Sequence, residues 1–116
     1  MLKYSTPLDG VFHALSDPTR RTIVDRLGRG PASVGELAKP LAMSLSAVMQ
    51  HILVLEGAGL VRSRKEGRVR ICTLDPDVLA SAEAWFQARR AAASRHLDAL
   101  GAYLDAHPAP EGARDA

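Results

Sequence analysis

The chain has 116 residues, one cysteine and a formal net charge of +2. That suits one domain with a modest core and excludes an intrachain disulfide. With 47% hydrophobic residues it can fold without staples, and no apolar run approaches the ~18 residues that span a bilayer.

The N-terminal stretch MLKYSTPLDG lacks the apolar core of a signal peptide, so the expectation is a cytoplasmic protein with no membrane partner. The charge is unevenly placed. Residues 1–74 hold 11 Lys/Arg and 6 Asp/Glu, giving +5, whereas residues 75–116 hold 4 and 7, giving −3. A basic front and an acidic back fit a protein that turns one face to a polyanion.

After a lead-in over 1–7, Leu8, Val11, Phe12 and Leu15 predict a short helix with one apolar side. Ser16-Asp17-Pro18 marks a boundary, with Asp17 as N-cap and Pro18 in the first helical position. The next helix, TRRTIVDRLGR, buries Ile23, Val24 and Leu27, and Gly28, Gly30 and Pro31 end it. Arg20 and Arg21 on this helix are equally suited to phosphate or to acids within the fold. Ser33 and Glu36 then form a Ser-x-x-Glu capping box, and Pro40 keeps the helix they start short.

The turn runs from Pro40 to Met43, and Ser44 is a good N-cap for a second helix. Leu45, Val48, Ile52 and Leu55 form its apolar stripe. Ser46, Ala47, Met49, Gln50 and Val54 occupy the opposite face. Gly59 is the expected left-handed C-cap, with Leu60 folding back on the helix end. Residues 62–70, RSRKEGRVR, carry five basic residues around one Glu and one Gly. They read as one β-hairpin with Glu66-Gly67 at its tip.

Asp75-Pro76 starts a last helix that reaches about Ala106. Val78, Ala82, Trp85, Phe86, Ala93, Leu97, Leu100 and Leu104 lie along one side. A helix of about 30 residues is ~45 Å long, more than a domain of this size can cover alone, so part of the stripe is expected to be buried by a second copy. His107-Pro108 ends the helix. The predicted organisation is a single domain over 1–106 and a disordered tail over 107–116.

Two helices joined by a short turn make a helix-turn-helix, whose second helix can lie in the DNA major groove. A basic hairpin beside it has an evident partner in the phosphate backbone. The fold expected is mostly α with a small β-hairpin: a winged helix-turn-helix with a long C-terminal dimerisation helix.

Three stretches resemble the ArsR/SmtB family of bacterial winged-helix repressors: ALSDPTRRTIVDRL at 14–27, VGELAKPLAMSLSAVMQHILVLEGAGLV at 34–61 and KEGRVRICTL at 65–74. The resemblance covers about residues 8–104. It implies repression of an inverted-repeat operator in double-stranded DNA, and a homodimer joined through the first and last helices, with Leu8, Val11, Phe12, Trp85, Phe86, Leu97, Leu100 and Leu104 at the interface. It names no inducer. A ligand-binding variant of the same reading holds a small apolar molecule near Trp85 and Phe86. Metal-sensing members carry a Cys-containing motif where this chain has Ala38 and Pro40, neither of which binds metal. His96 and His107 are 11 residues apart, about three helical turns, so one helix cannot bring both to one ion. No metal or other cofactor is expected.

Within this reading Gln50 can pair bidentately with adenine. Ser44 and Ser46 can bond phosphate at a helix N-terminus, and Ser44 can cap as well. Ala47 and Met49 can touch a thymine methyl. Arg68 at the wing tip suits the minor groove or phosphate, and Arg64, Lys65 and Arg70 suit the backbone. His51 is expected to make a structural hydrogen bond, and Cys72 to be buried and inert. No Gly-rich phosphate loop, His-Glu-x-x-His or nucleophile elbow is present, so catalysis is not expected. The rival reading is a winged-helix adaptor or anti-repressor that binds protein rather than DNA.

Overall fold

The computed structural model describes residues 7–108. In chain order the elements are α1 (Pro7–Leu15), α2 (Pro18–Leu27), β1 (Ala32–Ser33), α3 (Val34–Ala38), α4 (Leu45–Gly57), β2 (Val61–Glu66), β3 (Val69–Leu74) and α5 (Pro76–Ala106). The expected lead-in lies outside the described residues except for Pro7, which opens α1. The expected disordered tail lies outside them except for His107 and Pro108. The chain divides into two compact units between Ala82 and Glu83.

Local chemistry sets the helix boundaries of the first unit. Asp17 is the N-cap of α2: its carboxylate accepts the Arg20 N–H at 3.0 Å, and Pro18 follows in the first turn. Ser33 and Glu36 close a reciprocal box at the start of α3, each side chain accepting the other's backbone N–H at 3.0 Å. At the end of α4 the N–H of Gly59 reaches Glu56 O and that of Leu60 reaches Leu55 O. This double bond pattern is a Schellman motif. Gly59 adopts φ +79, a left-handed conformation that a residue with a Cβ rarely takes. Asp75 opens α5, its carboxylate accepting the Asp77 N–H at 3.0 Å.

The core of this unit gathers Val11 and Ala14 of α1, Ile23 and Leu27 of α2, Leu37 of α3, and Val48, Ile52 and Leu55 of α4. Ala32, Val34, Leu60, Val61, Cys72 and Ala82 complete it. Burying one such large aliphatic side chain contributes about 1.5–3 kcal/mol.

Three sequence expectations change. Leu45 fits the period of the α4 stripe but is 60% exposed; as the first residue of the helix it projects beyond the core that Val48 begins. The sheet has three strands rather than two, in the order β1-β3-β2, because Ala32 and Ser33 pair antiparallel with Cys72 and Ile71. The hairpin tip lies one residue later than expected. Glu66 pairs with Val69, so the two-residue turn is Gly67-Arg68. Gly67 takes φ +62 at the first central position, as type II′ hairpin turns require.

In the second unit α5 continues as a regular helix to Ala106. Trp85 and Phe86 meet edge to face with ring centroids 5.3 Å apart, and the Arg89 guanidinium lies 4.4 Å over the Trp85 ring. Phe86, Leu97, Leu100, Tyr103 and Leu104 are exposed. No helix among the described residues is long and apolar enough to cross a membrane.

Candidate nucleic-acid interface

The turn between α3 and α4 leaves α4 packed through one side only. Ser44 starts the helix, its Oγ accepting the Ala47 N–H at 3.1 Å. Val48, Ile52 and Leu55 then face inward with no exposure. The remaining side exposes Ser46 and Gln50 to solvent, with Ala47 and Met49 half-buried beside them.

His51 anchors the helix from its flank. Its Nδ1 lies 3.3 Å from Arg20 Nη1 and 3.9 Å from Asp17 Oδ2. The same Arg20 donates from Nε to Ala14 O at 2.6 Å and from Nη2 to His13 O at 3.2 Å. Arg21 donates to Leu15 O at 2.7 Å. Both arginines therefore satisfy carbonyls at the C-terminal end of α1, a role that neither phosphate nor an acid explains. His51 makes the structural contact expected of it.

The hairpin has two faces. Val61, Ser63, Cys72 and Leu74 turn toward the core, and Lys65 and Arg70 continue that face outward. The other face carries Arg62, Arg64, Glu66, Val69, Ile71 and Thr73. Arg62 pairs with Asp75 at 2.9 Å and Arg64 with Glu66 at 2.8 Å. Such exposed pairs contribute little to stability, but they fix where the charges point. Arg70 donates to Ser63 Oγ at 2.9 Å. Among the described residues no hydrogen bond or ion pair holds the side chains of Lys65 and Arg68. All residues from Arg64 to Arg70 are exposed. Cys72 is fully buried; burial and the nearby Glu56 carboxylate push its thiol pKa up, which disfavours the reactive thiolate.

Between the first turn of α4 and the hairpin lies a cleft of about 380 Å³. Leu45, Met49 and Val69 supply its apolar wall, and Arg68 and Arg70 line it as well. Leu45 and Val69, the latter 46% exposed, are neighbours of the candidate face that sequence reading left out. Leu45 was assigned to the core by its spacing. Val69 belongs to the outer face of β3, which only the strand register reveals.

Ser44, Ser46, Ala47, Met49 and Gln50 therefore share one helix, while Arg64, Lys65, Arg68 and Arg70 share one hairpin. The cleft brings Met49 together with Arg68 and Arg70. Of the predicted α1 interface residues, Leu8 and Phe12 are half-buried, whereas Val11 is 2% exposed and occupied by the core of its own chain.

Known proteins share both the motif and the fold. A helix-turn-helix domain model matches residues 15–64. The HTH-type transcriptional regulator Rv2034 of Mycobacterium tuberculosis is 49% identical over 81 residues, which cover 70% of this chain and 75% of that protein. The transcriptional repressor SdpR of Bacillus subtilis is 31% identical over 78 residues, covering 67% of this chain and 87% of that protein. The crystal structure of an ArsR family transcriptional regulator superimposes with a TM-score of 0.74 at 45% identity, covering 77% of this chain and 98% of that one. An ArsR-like regulator from Rhodococcus sp. RHA1 gives a TM-score of 0.70 at 35% identity, covering 81% and 89%. With a capped helix-turn-helix, a basic wing and relatives matched over three quarters or more of their length, this chain is a DNA-binding transcriptional regulator and belongs to the ArsR family.

Proposed function

We propose that this regulator is a dimeric repressor that reads an inverted-repeat operator through α4 and holds the flanking DNA with its wing. The observation that carries the reading is the pairing of an outward polar face on α4, centred on Gln50, with an exposed basic hairpin segment from Arg64 to Arg70. Gln50 suits a bidentate contact to adenine, with Ser44, Ser46, Ala47 and Met49 along the same edge. Arg68 and Lys65, unengaged among the described residues, suit phosphates, as do the remaining donors of Arg64 and Arg70. The name of the Bacillus relative supports repression as the outcome.

The dimer follows from α5. Phe86, Leu97, Leu100 and Leu104 form a long apolar stripe in water, and a contiguous stripe of this kind marks an interaction surface. Trp85 on the same helix, and Leu8 and Phe12 on α1, all half-buried, would contribute as well. Two subunits related by a two-fold axis present two recognition helices, so half-sites should lie about one helical turn apart or a small multiple of it.

The test is a gel shift on DNA from upstream of the protein's own gene. Binding to one segment containing an inverted repeat, lost when either half is scrambled, supports the reading. Equal retention of scrambled and intact segments contradicts it.

A further inference from the structure

Ser63 stands where the hairpin leaves the core. Its cross-strand partner Cys72 is fully buried, while Lys65 and Arg70, the next pair outward on that face, are exposed. The Ser63 hydroxyl donates to Glu56 Oε1 at 2.6 Å and accepts from Arg70 Nη1 at 2.9 Å. A hydroxyl can do both at once because it has one donor and two lone pairs. Glu56 lies in the last turn of α4. A continuous path therefore runs from the wing strand β3, through β2, to the recognition helix. Among the described residues, the Ser63–Glu56 bond is the side-chain hydrogen bond that joins α4 to the hairpin. It is also part-buried, and the two-bond chain ends in opposite charges, Glu56 and Arg70, an arrangement in which successive bonds strengthen one another.

We infer that Ser63 is a positioning residue: through Glu56 and Arg70 it sets the wing's angle to α4, so that Arg68 and Gln50 meet one duplex together. The inference rests on the proposed DNA contacts of the wing and of α4. Outside Ser63 every residue from Arg64 to Arg70 is exposed, so an unbraced hairpin can bend about this point. Arg70 uses one of its five N–H donors in the brace and keeps the others for phosphate.

The experiment measures DNA affinity by fluorescence anisotropy, using the full chain and an operator duplex selected from a random pool. Ser63→Ala should weaken binding roughly three- to tenfold, the ratio expected for one lost hydrogen bond. Ser63→Thr should restore it, because the hydroxyl returns. Glu56→Ala, which favours helix, should reproduce the loss and serves if Ser63→Ala folds poorly. The decisive readout is coupling. In a background lacking the brace, Arg68→Ala should cost much less than in the parent protein, because the wing tip is already misaligned. A general loss of stability would not change that ratio. Multiplicative, independent effects of Ser63→Ala and Arg68→Ala would overturn the positioning role alone. Arg68→Ala without any effect in the parent protein would overturn the wing contact itself and the positioning role with it.

Discussion

Arg20 Nη1 lies 3.3 Å from His51 Nδ1, joining the first turn of α2 to the middle of α4. The same side chain holds two carbonyls at the end of α1. One guanidinium thus ties three helices, and only the fork geometry of Arg reaches all three acceptors. Arg20→Ala should lower the unfolding free energy by about 2–3 kcal/mol, the scale for loss of several charge-assisted hydrogen bonds. Arg20→Lys should recover only a minor part. Urea denaturation followed by circular dichroism checks both. A change below about 0.5 kcal/mol, the range of ordinary surface substitutions, would show that the three helices do not depend on this contact.

Acid should attack the fold through its helix caps. The Arg20 backbone N–H, followed by the charges of His51 and Arg20 itself, holds the Asp17 carboxyl below its ordinary 3.8. The backbone N–H and hydroxyl of Ser33 hold Glu36 below 4.5. A carboxyl depressed in the folded state contributes its full stability above the unfolded value and loses it as pH falls through the folded value. Stability should therefore be insensitive to these groups at neutral pH and decline below about pH 4. Asp17→Asn keeps an N-cap that does not titrate, so in combination with Glu36→Gln it should flatten the acid limb. Denaturation at neutral pH and at acid pH tests this. An unchanged acid limb would place the sensitivity elsewhere.

The caps were legible in the sequence because each lies within a few residues. Ser33 with Glu36, Asp17 before Pro18, Ser44 and Gly59 all specify local backbone, and the structure repeats them. What depends on distant partners was not legible. Ala32 and Ser33 form a strand only because β3 passes beside them, some 40 residues later in the register. Arg20 and Arg21 look like surface cations until α1 brings its last carbonyls to them. Arg64 reads as a free charge, yet pairs with Glu66 two residues on, since alternate strand positions share a face. Leu45 shows the limit of periodicity: it has the right spacing, but the core ends before the helix does. On the candidate interface, helix α4 and the hairpin were both legible as elements in the sequence; the cleft between them and the Ser63 brace were not, because each needs elements brought together by the fold.

The apolar stripe on α5 predicts assembly. Light scattering at micromolar concentration should give about twice the 12.4 kDa chain mass. Leu97 and Leu100 are exposed within one chain, so Leu97→Glu with Leu100→Glu should leave the first unit folded and shift the mass toward the monomer, with operator affinity falling alongside. A wild-type monomer at that concentration would remove the symmetric-operator argument.

The most direct measurement compares Gln50→Ala and Arg68→Ala on the selected operator and on unrelated DNA across a salt series. Gln50→Ala should cost about 1–3 kcal/mol per half-site and relax the choice of base at one position. Arg68→Ala should weaken binding to every sequence and lower the salt slope by roughly two, about 0.9 for each of the two phosphates that a dimer would release. If both variants bind operator and unrelated DNA as the parent protein does, with the same slope, the DNA does not lie on α4 and the wing, and the proposed interface is wrong.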